Sequence, residues 1–197
     1  MTLRQSVLNK VYGLIMWQHK VWGNKKFILS NTNHIQPNTA VYNLSVTLNS
    51  GETIKLEQHK GKKILLVNTA SDCGYTAQYA DLEKLYQQYK NELVIYAFPA
   101  NDFKAQEKGS DNEIATFCKV NYGISFPLVK KSVVVKGPQQ HPVFKWLSDE
   151  RENGWCNQAP NWNFTKYLIN ENGVLMYRFG KEISPLDEEF IKALKNL

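Results

Sequence analysis

The chain is expected to fold as an α/β protein: a mixed central sheet flanked by helices on both faces, with an extra N-terminal helix in front. Three observations lead there. Two short apolar runs, 64–67 and 93–98, have the composition of strands buried on both faces. Each is followed by a segment with helical periodicity. The chain then closes on an alternating hairpin and a last helix, and strand–helix–strand followed by hairpin and helix is the order of a mixed sheet.

The elements follow in order. In the first ~25 residues Leu3, Val7, Val11, Leu14 and Val21 recur at helical spacing, with Gln5, Asn9, Gly13 and Lys20 opposite them. Trp17 and Trp22 add bulk, and Gly23-Asn24 ends the segment. Such a basic, Trp-bearing amphipathic helix suits either a membrane surface or the domain's own core. Residues 24–40 are polar, contain Pro37, and read as a linker. Tyr42, Leu44, Val46 and Leu48 alternate with polar residues, Asn49-Ser50-Gly51 turns the chain, and Ile54 and Leu56 alternate again: a hairpin. After the strand at 64–67 comes a helix over about 76–90 with Leu82, Leu85, Tyr86 and Tyr89 inward, then the strand at 93–98. Ser110 with Glu113 forms a capping box that opens a helix to about Asn121. Pro127 precedes a strand at 133–135, and His141-Pro142 starts a short helix with proline at its first position. Segments 167–169 and 174–177 flank the turn Asn170-Glu171-Asn172-Gly173. Ser184-Pro185 opens a final helix, whose Asp187, Glu188 and Glu189 favour its positive end. This order is the thioredoxin-like arrangement with insertions, divided into an N-terminal helix and linker (1–40) and one domain (41–197).

Composition narrows the function. At 197 residues the chain is long enough to bury a core without disulfides, and 43% apolar with 21% charged residues excludes wholesale disorder. No uninterrupted apolar stretch reaches the ~18 residues of a membrane-spanning helix. Three cysteines form no disulfide framework and read as free or catalytic thiols in a reducing, cytoplasmic setting. The net charge of +6 includes no dense basic block of the kind that binds nucleic acid. The four histidines show no ligand spacing with the cysteines, and no Gly-rich phosphate loop is present, so neither a metal nor a nucleotide cofactor is expected.

Cys73 carries the chemistry. It lies just past a buried strand and just before a helix, where backbone N–H groups and the helix dipole favour the thiolate. A loop at the carboxyl end of a parallel strand is where open α/β sheets place their sites. Cys73-Gly74-Tyr75-Thr76 has no second cysteine at CxxC spacing, so one thiolate acts alone. That disfavours dithiol–disulfide exchange and suits attack on a peroxide O–O bond.

The run Val67-Asn68-Thr69-Ala70-Ser71-Asp72-Cys73-Gly74-Tyr75-Thr76 resembles the active-site signature of the glutathione peroxidase family. Two further family segments follow in order: the loop Phe98-Pro99-Ala100-Asn101-Asp102-Phe103-Lys104-Ala105-Gln106-Glu107-Lys108-Gly109, and Trp162-Asn163-Phe164-Thr165-Lys166-Tyr167-Leu168. Asn121-Tyr122-Gly123-Ile124-Ser125-Phe126-Pro127 also fits, and the resemblance spans about 40–197. It implies that Cys73 is the peroxidatic nucleophile and that Gln106, Trp162 and Asn163 complete a tetrad. Alone, Gln106 reads as a loop polar, Trp162 as a core aromatic and Asn163 as a turn residue; together they are uncharged donors suited to a thiolate and a departing oxygen. Asp102 and Lys108 stand where the family usually has Gln and Pro, which implies altered loop electrostatics. Only about fourteen residues separate Leu147 from Trp162, as in short-loop members that are commonly monomeric and often use thioredoxin.

The resemblance therefore implies a thiol peroxidase for hydrogen peroxide or organic and lipid hydroperoxides, passing through a cysteine sulfenic acid and recycled by thioredoxin or glutathione. A slow peroxide sensor or a membrane-surface redox module, held through residues 3–22, needs the same thiolate and stays open at this point. Cys118 resembles the resolving cysteine of fungal members, and its neighbours Ile114 and Phe117 place it on an apolar helix face. Cys156, in Asn153-Gly154-Trp155-Cys156-Asn157, is the alternative and reads as part of an exposed loop.

Overall fold

A computed structural model describes residues 6–7, 11–13, 16 and 25–197. Along the chain come β1 (Ile28–Ser30), β2 (Ser45–Thr47), β3 (Thr53–Lys55), β4 (Lys63–Thr69), α1 (Gln78–Tyr89), β5 (Leu93–Pro99), α2 (Asp111–Tyr122), α3 (Pro142–Leu147), α4 (Glu150–Asn153), β6 (Lys166–Ile169), β7 (Leu175–Phe179) and α5 (Glu188–Lys195). The main sheet has the order β1-β7-β6-β4-β5, and β2-β3 is a separate hairpin. Only β4 and β5 run parallel, in register from Lys63–Leu93 to Thr69–Pro99. β6 is antiparallel to β4, and β7 and β1 continue antiparallel.

Every residue of β4 is buried, because the sheet carries a core on each face. Leu65 and Val67 point into the layer beneath α1, α2 and α5, with Leu82, Leu85, Ile114 and Phe190. Ile64 and Leu66 point the other way, against Phe144, Trp146 and Leu147 of α3 and Val46 of the hairpin. The period-two alternation of a strand thus sorts one apolar run into two cores. The capping box of α2 is complete, with Ser110 and Glu113 bonding reciprocally, and Gly123 closes that helix at φ +64°. Pro142 opens α3 at its first turn, where a missing N–H costs nothing.

Four expectations are corrected. The 24–40 linker contains β1, which pairs with β7, and Thr39 further on accepts the Trp146 indole N–H through its carbonyl at 2.7 Å. Residues 133–135 form no strand, since Val133 makes one isolated bridge to Gln140 and the Val134 N–H donates to Asp102 Oδ2 instead. The last helix begins at Glu188; the chain around Ser184 is a turn held by Ser184 N–H on Asp187 Oδ2. Cys156 is 2% exposed, in the core on the α3 face.

At the N-terminus the described residues 6–7, 11–13 and 16 are helical, whereas Leu3, Leu14, Trp17, Val21 and Trp22 lie outside the described residues. Among the described residues no helix is long and apolar enough to cross a membrane.

Candidate active site

Three loops converge at one edge of the sheet. Because β4 and β5 are parallel and β6 is antiparallel to β4, the loops after β4 and β5 and the segment before β6 emerge at the same end. They carry Cys73, Gln106, and Trp162 with Asn163 respectively.

Thr76 shapes the Cys73 turn. Its hydroxyl oxygen accepts the Cys73 N–H at 3.0 Å, and its O–H is 2.9 Å from the Ala70 carbonyl and 2.7 Å from that of Cys73. The helix proper starts only at Gln78, preceded by turns in which the Gln78, Tyr79 and Ala80 N–H groups bond to the Tyr75, Thr76 and Ala77 carbonyls. One amide reaches the sulfur: the Tyr75 N–H donates to Cys73 Sγ at 3.5 Å.

Asn68, fully buried near the end of β4, anchors the second segment. Its Nδ2 donates to the Trp162 carbonyl at 3.1 Å, its Oδ1 accepts the Thr165 N–H at 3.1 Å, and its carbonyl accepts the Phe164 N–H at 2.6 Å. Phe164 sits at φ +63°, an uncommon conformation for a bulky residue. Lys104 and Ala105, at φ +52° and +49°, bend the chain in the same way just before Gln106. Three of the four non-glycine positive-φ residues described therefore lie within two residues of tetrad positions. Backbone strain of this kind gathers at functional sites.

The structure brings Trp162 and Asn163 to Cys73, and Gln106 to Asn163. Burial pushes the Cys73 thiol above its ordinary range; the Tyr75 amide, the Trp162 and Asn163 side chains and the Lys181 charge all oppose that push. The sulfur is thus a buried thiol with one amide hydrogen bond, the Trp162 and Asn163 side chains and the Lys181 charge opposing the cost of burial. Asn163 Nδ2 donates to Gln106 Oε1 at 2.9 Å, and the Gln106 carbonyl accepts the Asp72 N–H at 3.1 Å, tying the second loop to the first. Asn163 Oδ1 is buried with no hydrogen-bond partner. Lys104 Nζ lies 5.6 Å from the centre of the Trp162 ring, and the Phe103 ring packs 5.7 Å from it.

The cysteines divide by face. Cys73 and Cys118 lie in the core beneath α1 and α2; Cys156 lies in the core on the other side of the sheet. All three are free thiols. Burial pushes the Cys118 thiol up to about 12. The Tyr79 hydroxyl, itself buried, is close to Cys118 Sγ and Thr69 Oγ1 but meets hydrogen-bond geometry with neither. A cavity of about 280 Å³, lined by Ser71, Asp72, Gln106, Glu107, Ile114 and Phe117, separates the Cys73 loop from α2. A larger recess of about 460 Å³ beside Lys136 and Arg151 contains none of these residues.

Glu107 was overlooked by sequence reasoning, although it follows Gln106 within the quoted motif. It is 1% exposed and accepts from Ser71 Oγ at 3.1 Å, and burial raises its carboxyl to about 7. A carboxyl whose folded value is raised adds stability below its unfolded value, and that stability is lost as pH rises through the folded value. The wild type should therefore lose on the order of 3 kcal/mol of unfolding free energy between about pH 4.5 and 7 through this group. Glu107→Gln should flatten the curve in that window. Urea unfolding across pH checks this, and parallel curves for the two proteins would contradict it.

Comparison with known proteins adds the family. The family model for glutathione peroxidase matches residues 41–148. A glutathione peroxidase homolog, BsaA, of Staphylococcus epidermidis is 46% identical over 147 residues, covering 74% of this chain and 92% of that protein. Glutathione peroxidase-like peroxiredoxin 2 of Saccharomyces cerevisiae is 41% identical over 154 residues, covering 77% and 94%. The crystal structure of Trgpx in apo form superposes with a TM-score of 0.60 at 32% identity, covering 80% of this chain and 97% of that one. The fold is thioredoxin-like, with a mixed sheet between helices.

Proposed function

We propose a function from one premise: the chain belongs to the glutathione peroxidase family. It is a peroxidase, an oxidoreductase that reduces hydroperoxides with electrons from thiols. Cys73 is the attacking thiol, and the observation that carries this is the set of groups favouring the anion about a buried sulfur: the hydrogen-bonded Tyr75 N–H, the nearby Trp162 and Asn163 side chains and the Lys181 charge. Such groups stabilise a thiolate, and then the charge on the leaving oxygen. Asn163 Oδ1, buried and unpartnered, accepts the hydroperoxide O–H.

The thiolate sulfur bonds to one oxygen of the O–O bond. That bond breaks, and its electron pair leaves with the other oxygen, which takes up the thiol's proton and departs as water or an alcohol. Cys73 is left as a sulfenic acid. The Cys118 thiol then displaces hydroxide from the Cys73 sulfur, water leaves, and a disulfide forms. A dithiol reductant supplies the two electrons that restore both thiols. Thioredoxin is that dithiol. The short segment between Leu147 and Trp162, which resembles that of thioredoxin-using members, supports it over glutathione. The protein works as a cytoplasmic monomer, with peripheral membrane contact through residues 3–22.

The test compares reductants. With cumene hydroperoxide, NADPH consumption through thioredoxin reductase and thioredoxin should exceed that through glutathione reductase and glutathione by about tenfold or more in kcat/KM. Equal rates, or a faster glutathione couple, would overturn the choice of reductant.

A further inference from the structure

Charge is not spread evenly along this chain. Residues 1–51 contain Arg4, Lys10, Lys20, Lys25 and Lys26 and no Asp or Glu; the first acidic residue is Glu52. Residues 52–197 carry nineteen basic against eighteen acidic side chains, so five of the six net charges fall in the first 26 residues. Segregation of this degree suits a contact with an anionic surface.

The described residues in this stretch are two-sided. Val7 and Val11, one helical turn apart, are 54% and 43% exposed. Tyr12 and Met16, also one turn apart, are half-buried. The Tyr12 O–H donates to Asp81 Oδ2 at 3.1 Å, the same oxygen that accepts from Ser184 Oγ at 2.8 Å. Its ring meets Tyr75 edge-on, with centroids 6.4 Å apart. The Tyr75 N–H is the one that donates to Cys73 Sγ, so Tyr12 rests on the turn that holds the thiol.

We infer that Val7 and Val11 dock the protein on an anionic lipid bilayer, and that the Tyr12–Asp81 hydrogen bond is the latch keeping these two side chains near the Cys73 loop. This deepens the membrane contact proposed above, and its link to turnover rests on Cys73 being the attacking thiol. Apolar side chains on one side of a basic helical segment enter the boundary between headgroups and acyl chains, while the cations pair with anionic headgroups. Trp17 and Trp22 are residue types that favour that boundary. The inward side explains what binding alone would not. The Tyr12 bond to Asp81 and the Tyr12–Tyr75 ring contact tie the lipid-facing valines to the catalytic domain near its thiol.

The experiment uses the full chain, vesicles of phosphatidylcholine with and without phosphatidylglycerol, and two hydroperoxides, one embedded in the vesicle lipid and tert-butyl hydroperoxide in solution. Wild type should sediment with the anionic vesicles, weakly with the neutral ones, and less as salt is raised. The double variant Val7→Asp/Val11→Asp should lose about tenfold or more in vesicle binding and keep its rate on tert-butyl hydroperoxide. Tyr12→Phe and Asp81→Asn should bind vesicles as wild type does. Their rate on the embedded hydroperoxide should fall about threefold or more relative to the soluble one. Wild type failing to bind anionic vesicles, the aspartate variant binding undiminished, or a change of oligomeric state in place of lost vesicle binding would overturn the docking surface. Tyr12→Phe slowing both substrates equally would overturn the latch. Sedimentation needs no turnover, so a chain that binds vesicles yet reduces neither hydroperoxide would count against the thiol peroxidase reading and not against the docking surface.

Discussion

Cys73→Ser will abolish hydroperoxide reduction, lowering kcat/KM by roughly a thousandfold or more, as removal of a nucleophile does elsewhere. A serine hydroxyl offers almost no anion near neutral pH, and the donors about this site are too weak to make one. The fold should survive. Cys73 lies in the core beneath α1, so exchanging sulfur for oxygen costs about 1–2 kcal/mol, and unfolding curves will separate that loss from the loss of chemistry. Wild-type alkylation supplies a second measure. Burial holds the thiol above its ordinary range against the Tyr75 amide, Trp162 and Asn163, so the iodoacetamide rate should still be rising at pH values where an exposed cysteine has levelled off. Trp162→Phe removes a donor and should shift that rise further toward alkaline pH. Peroxidase activity persisting in Cys73→Ser would remove Cys73 from the mechanism altogether.

Local chemistry made much of this fold readable, and long-range pairing hid the rest. The runs that became β4 and β5 are apolar throughout because each is covered twice, and a run of that kind is visible without its partners. The Ser110–Glu113 box lies within four residues and was legible for the same reason. β1 is three residues of mixed polarity, and only the exposed edge of β7 makes it a strand. Residues 133–135 have β-branched composition, yet Asp102 takes the Val134 N–H that a ladder would need. The segment around Cys156 looks polar because of Asn153 and Asn157, but Asn153 is fully buried and turned inward. Its Nδ2 donates to the Trp146 and Cys156 carbonyls, and its Oδ1 accepts the Trp155 and Cys156 N–H groups.

The candidate site divides in the same way. Its residues were legible as three ordered motifs, whereas their contacts were not. Gln106 bonds to Asn163 and not detectably to the sulfur, Asn68 fixes the Trp162 segment from within β4, and Glu107 lies beneath the loop as a raised carboxyl. Each of these depends on where separate loops meet, which spacing along the chain does not encode.

Cys118→Ser should stop thioredoxin-dependent turnover, by about a hundredfold or more, and leave the first reduction of peroxide intact. In that variant dimedone should trap Cys73 as its sulfenic acid, while Cys156→Ser should turn over as wild type does. The two thiols differ in where they can go. A disulfide needs Cα atoms within about 7 Å, and Cys156 is in the core on the opposite side of the sheet from Cys73. Cys118 shares the Cys73 face, with the cavity beside Ile114 and Phe117 between α2 and the Cys73 loop. Cys118 is buried within α2, and burial pushes its thiol up to about 12, so the C-terminal part of α2 around it opens before it reacts. The end of α2 is held on its inner side by the Tyr122 ring against Tyr79 and Phe117 and by Asn121 Nδ2 on the Phe117 carbonyl at 2.9 Å, and is open on its outer side. Lys119 is exposed and Val120 is 73% exposed. The closing bonds run from the Gly123 N–H to the Lys119 carbonyl at 3.0 Å and from the Ile124 N–H to the Cys118 carbonyl at 3.4 Å. Gly123 permits this closure at φ +64°, with open space where a Cβ would stand, so Gly123→Ala adds only backbone strain of about 1 kcal/mol. If opening precedes reaction, that strain raises the open population, and with it the rate of Cys73–Cys118 disulfide formation, about fivefold. Stopped-flow tryptophan fluorescence and peptide mapping of the oxidised protein will read both effects. A Cys73–Cys156 crosslink in the wild type, or full thioredoxin-dependent turnover in Cys118→Ser, would refute the assignment of Cys118.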